Sequence, residues 1–193
     1  MRKVEGLDLA EYGPLSALIG TWHGHKGNDV APEPEGSEIN PYYETIVYEG
    51  VGEVVNAEAQ RLMAVHYHQQ VWRSTDDKAI HNETGYWMWD KQTNEVMHSL
   101  AIPRGLCLLA GGKALGTMSD TVTHLQVAAR VGDPQWGIIQ APFLRDNAKT
   151  TAFRHTLKVV EGTLSYDETM FLDIYGKTFQ HTDRNELTRC TGD

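Results

Sequence analysis

The side chains with the most capacity for chemistry are the nine histidines, two of which, His66 and His68, stand two positions apart. On a β-strand that spacing aims both imidazoles to one side. A third imidazole on a neighbouring strand would complete a three-nitrogen zinc site with one position left for water, the ligand set of a zinc hydrolase or lyase. His81 and His98 are the candidates for that third place. Register decides the matter. A turn centred on Asp76 pairs position 71 with 81 and sets His66 and His68 on the face opposite His81, and a slip of one residue reverses this. Strand alternation puts His81, Glu83, Gly85, Trp87 and Trp89 on one face, and with Trp72 on the preceding run these tryptophans offer walls for a flat aromatic ligand as readily as ordinary core packing. GxSxG, GxxxxGK[ST] and HExxH patterns are all missing, so no catalytic residue is assigned from a motif.

These groups need a scaffold, and from Tyr42 onward the chain supplies short runs rich in valine, threonine, tyrosine and tryptophan, parted by turn residues about every ten positions. The runs 21–25, 43–49, 61–73, 79–89, 95–102, 105–110, 121–131, 136–140, 149–160, 163–174 and 178–189 read as antiparallel strands. STDDK, DKQTN, PRG, VGDP, EGT and YGK between them have turn chemistry. Crossover-length helical segments are missing. The pattern predicts an all-β fold, an up-and-down barrel of about ten strands of the lipocalin and fatty-acid-binding kind, with a β-sandwich as the competing arrangement. One short N-terminal helix is expected at 14–19, where Pro14 suits a first helical position and Gly20 can close the far end. Residues 1–13 read as a tail. The Pro-rich and acidic segment 28–41 reads as an irregular loop over one end of the barrel, placed to act as a lid. A second irregular connection is expected at 144–147.

A length of 193 residues argues for one domain. Seventeen basic against 26 acidic residues give a formal charge of −9, which speaks against a nucleic-acid backbone as partner. Forty per cent apolar and 22% charged residues mark a folded chain. No run is long and apolar enough for a membrane span, and the N-terminus lacks a signal-peptide core, so a cytoplasmic protein without a membrane partner is expected. With only Cys107 and Cys190, a structural disulfide is not expected. A barrel of this size encloses a cavity, which points to a small hydrophobic ligand; a homodimer is left open.

Four stretches carry a resemblance to a known family: LIGTWHG at 18–24, with Gly20, Trp22 and Gly24 in a GxWxG pattern; HNETGYWMWD at 81–90; IPRG at 102–105; and LSYDETM at 164–170, followed by His181 and ELTR at 186–189. Together they resemble the nitrobindin-like heme-binding β-barrels, which include the barrel domain of THAP4. The resemblance implies a fatty-acid-binding-protein type of fold and ferric heme b held by one proximal histidine near the C-terminus. It also implies chemistry with nitric oxide and peroxynitrite, of the peroxynitrite isomerase kind. His181 is the position matching the iron ligand, with His155 and His124 next in line, and His81 matches a cavity histidine. Trp22, Trp87 and Trp89 would then be walls of the pocket. A metal-free carrier of fatty acids or other apolar ligands, and a zinc enzyme built on His66 and His68, are the competing functions.

Overall fold

Alternating, β-branched and aromatic runs become strands here, and their turn-rich connections let each strand pair with the next. The computed structural model describes residues 8–115 and 122–190. A 3-10 helix, Leu9–Leu15, is followed by eleven strands: β1 Gly20–Glu33, β2 Gly36–Asn56, β3 Gln60–Arg73, β4 Ala79–Asp90, β5 Glu95–Ile102, β6 Leu106–Leu115, β7 Val122–Arg130, β8 Ile138–Gln140, β9 Ala148–Val160, β10 Thr163–Ile174 and β11 Lys177–Arg189. A single turn of α-helix, α1 (Pro142–Asn147), lies between β8 and β9. Among the described residues every strand pairing is antiparallel.

The strands run in meander order, β1 to β7 and then β9 to β11, and the ring closes where β11 pairs with β1. Ten strands therefore form a closed barrel. β8 stands outside the ring and adds three residue pairs to β6. Closure leaves the ring without a free edge, which is why so acidic and polar a sequence can hold long strands without inviting edge-to-edge association.

One end of the barrel is plugged. Tyr12, Leu15 and Leu18 insert among Trp22, Val65, Trp87, Trp89, Val96, Leu125, Leu157, Leu164 and Leu187, all buried. The Trp22 indole donates to the Leu18 carbonyl at 2.7 Å. Arg189 lies over the Trp22 ring at 4.6 Å and donates to the carbonyls of Ile19 and Ala17. These contacts tie GxWxG to the closing ELTR: the strand that starts the barrel and the strand that ends it share one cap. The opposite end is the mouth.

The structure corrects two expectations from the sequence. Segment 28–41 is not an irregular loop: β1 and β2 form one long hairpin through it, with Pro32 opposite Ser37 and Pro41 opposite Asn28. Proline is tolerated in a strand where a ladder neighbour is missing, and both prolines sit where their strand has only one. The helix covers Leu9–Leu15 rather than 14–19, so the chain from Asp8 onward is packed rather than a tail, and Pro14 lies inside it after a break at Gly13. Thr121 and the first seven residues lie outside the described part of the chain.

Candidate functional site

Strand alternation fills the mouth half of the barrel with polar side chains. On β11, Leu187 belongs to the plug, and the same face continues through Asn185 and Asp183 to His181. On β10 it continues from Leu164 through Tyr166 to Glu168, on β9 from Leu157 to His155, and on β4 from Trp87 through Glu83 to His81. β1 contributes Asp29 and β2 Glu44. Inward residues also line up across the strands: His155 faces Glu168, Glu168 faces Asp183, and Asp183 faces Asp29.

Hydrogen bonds order this interior into three groups. In the first, Glu44 accepts from Gln69 at 2.6 Å, Asn185 at 2.7 Å and Tyr166 at 2.8 Å, and Tyr42 meets the Tyr166 hydroxyl at 2.7 Å. Burial pushes the Glu44 carboxyl up to about 7 against the opposing pull of those three donors.

The second group is a chain from the mouth inward. His81 Nε2 lies 3.2 Å from Glu83, Glu83 accepts from the Tyr67 hydroxyl at 2.5 Å, and that hydroxyl lies 2.9 Å from His98 Nε2. Tyr67 has one proton and gives it to Glu83, so His98 Nε2 is the protonated nitrogen and donates to Tyr67. His98 Nδ1 is then a lone pair, and it is buried without a partner. Burial, helped by the neighbouring His155, holds His98 well below the usual imidazole range, whereas at His81 burial is outweighed by Glu83, which lifts it to about 9. The His98 ring stacks on Trp87 at 4.2 Å and meets His155 edge-on at 5.3 Å.

His155 heads the third group. Its Nδ1 lies 2.9 Å from a Glu168 carboxylate oxygen and so carries the proton, while Nε2 is buried with no partner. Trp87, Phe153 and Tyr166 surround the ring. At the rim, His181 Nε2 stands 2.7 Å from Asp29 and 3.5 Å from Asp183. Burial pulls His181 down, but its bond to Asp29 and the charges of Asp183 and Asp29 outweigh this and raise it. Asp183 is pushed up to about 7, by burial first and by Glu168 and Asp29 next, with His181 opposing.

The structure does not assemble the three-histidine zinc site. Val71 pairs with His81, the register that sets His66 and His68 on the opposite face. His66 binds Thr84 and His68 binds Asn82 on the outer wall, while His81 and His98 face inward. His124 also lies outside, on the face opposite buried Leu125. Trp22 and Trp89 sit in the plugged end and Trp87 deeper than the rim, so of the three only Trp87 touches the interior histidines. Two surface clefts, of about 370 and 640 Å³, open on the barrel; the first reaches Tyr166 and Asn185 and the second Phe153, and neither is lined by His81, His155 or His181. Apart from Glu83, which alternation set beside His81, the interior carboxylates escaped the sequence reading. Asp29 fell in a segment read as loop, but Asp183, Asn185 and Leu187 follow the period-2 pattern that could have revealed the inner face of β11.

Known proteins share this fold. Residues 11–189 match the model of the THAP4-like, heme-binding β-barrel domain. The crystal structure of Rv2717c from M. tuberculosis aligns with a TM-score of 0.68 at 22% identity, over 95% of this chain and 98% of that one, which shows a shared fold. No curated protein matches. With the match spanning both the plug and the polar interior, the chain belongs to the THAP4-like heme-binding β-barrel domain family.

Proposed function

We propose that the mouth half of the barrel binds ferric heme b and that His155 is the residue offering nitrogen to the iron. The unpartnered Nε2 of His155 carries this reading. A porphyrin fills four positions of its iron and takes a neutral imidazole from the protein, and such an imidazole is normally held by a hydrogen bond from its other nitrogen. Glu168 supplies that bond, and Trp87 and Phe153 supply aromatic surface beside the ring. His181, the position suggested by resemblance, has its Nε2 turned to Asp29, so ligation there would break an ion pair.

Bound ferric heme would supply an iron position for nitric oxide or peroxynitrite, the chemistry that the resemblance implies. The chain's own part is to keep His155 oriented through Glu168, and to keep a second lone pair, His98 Nδ1, available as an acceptor beside it. Tyr67 and Glu83 fix the His98 tautomer, and His81 connects that chain to the mouth. A metal-free carrier of fatty acids is the competing reading, and it gives no role to the buried, unpartnered ring nitrogens of His155 and His98.

Hemin titration tests the assignment. Wild-type protein should give a saturable Soret change, His155→Ala should lose it, and His181→Ala should keep it, with circular dichroism confirming that each variant is folded. Loss in His181→Ala with retention in His155→Ala would move the ligand to the rim. No saturable change in wild type would end the heme reading.

A further inference from the structure

We propose that Asp29, His181 and Asp183 form a binding site for one divalent metal ion at the barrel rim, separate from the buried His98 and His155. The site arises from the seam that closes the barrel. Asp29 on β1 and Asp183 on β11 are direct ladder partners, and His181 lies two residues from Asp183, hence on the same inner face. One donor atom from each of the three falls within 4.8 Å of the others. Tetrahedral ligands around one zinc ion at about 2.0–2.2 Å stand roughly 3.3–3.6 Å apart, so side-chain rotations that draw the donor atoms together by about 1 Å close the set.

The surroundings favour an ion over a merely structural ion pair. Asp29 has its second carboxylate oxygen held by the Asn40 amide at 3.1 Å, which leaves the oxygen facing His181 in a fixed direction. Such outer hydrogen bonds are how ligating carboxylates are oriented. Glu168, the ladder partner of Asp183, adds a third carboxylate beside the set. His181 and Asp183 side chains keep 28% and 30% of their surface exposed, so an ion can enter from solution. One imidazole and two carboxylates suit zinc, manganese or ferrous iron, with further positions left for water. The same set does not suit a porphyrin iron, which needs one neutral imidazole and no carboxylates.

The experiment needs no heme, so its outcome stands apart from the reading above. Full-length protein is freed of metal with a chelator and titrated calorimetrically with zinc chloride and, in parallel, with manganese chloride. One saturable site per chain is expected for at least one of the two. Asp183→Asn and His181→Ala should each weaken it by more than about tenfold, and Asn40→Ala by about tenfold, while His155→Ala should bind as wild type does. Circular dichroism verifies folding, and a manganese electron paramagnetic resonance signal that broadens on binding gives a second readout. Absence of saturable binding of either ion, equal affinity in the rim variants, or equal loss in His155→Ala would each overturn the site.

Discussion

Glu44 is the residue at which burial and chemistry conflict most plainly. It is almost wholly enclosed, yet three donors point at it. Its carboxyl rises from 4.5 to about 7 in the fold, so between those values the folded protein holds a proton that the unfolded chain has released. The stability this gives is complete below pH 4.5 and fades as pH rises through 7, by roughly 3 kcal/mol in all at about 1.4 kcal/mol per unit. His98 has the opposite sign: its folded value is depressed, so its contribution is present above 6.5 and is lost as pH falls. The readable quantity is therefore the difference between wild type and Glu44→Gln. In urea denaturation from pH 4.5 to 8, the variant should gain on wild type steadily, and parallel curves would contradict the assignment. At this scale the sequence was legible in part. His81, Glu83 and Trp87 were placed on one face by alternation alone, and they share one in the fold. His155 could not be ranked above His181 from sequence, because what separates them is whether a carboxylate takes Nδ1 or Nε2, a matter of side-chain geometry across strands.

Among the elements, the N-terminal 3-10 helix is held by one backbone feature. Gly13 has φ of +53°, and the space a Cβ would need is filled by the Trp89 ring. A left-handed conformation and a ring contact both exclude a side chain. Gly13→Ala should cost about 2–3 kcal/mol and lower the thermal midpoint by several degrees while leaving the far-UV β-spectrum in place; an unchanged midpoint would show that the plug is not anchored there. The barrel strands were legible from turn spacing and alternation, whereas their register was not: pairing of position 71 with 81 was one of two registers left open, and it is the one the fold adopts. The β1–β2 hairpin was not legible, since three prolines and four acidic residues within 28–41 carry a loop's composition. What overrode composition was position: a strand with a neighbour on one side only has no use for the second N–H. The turn of α1 likewise stood where an irregular connection was expected.

For the whole molecule, closure was foreseeable from the absence of crossover helices and from the strand count, but the ring's content was not. The sequence rhythm says which residues alternate and leaves open which face is inner. Closure also carries a consequence in time. Most strands pair with a neighbour only a hairpin away, whereas the seam joins Trp22 to Arg189 and Asp29 to Asp183. Bringing such distant segments together costs chain entropy before any contact rewards it, so the seam is expected to zip last, after the meander has formed. Asn185 stitches that seam, accepting from the Lys26 backbone N–H at 3.1 Å and donating to Glu44. If the seam is absent from the rate-limiting step, Asn185→Ala should accelerate unfolding and leave the folding rate nearly unchanged in stopped-flow chevrons; a slowed folding limb would place the seam in the nucleus. The residues that complete the metal-binding rim would then be the last to meet as the protein folds and the first to part, which makes the rim the place where the lifetime of the native barrel is set.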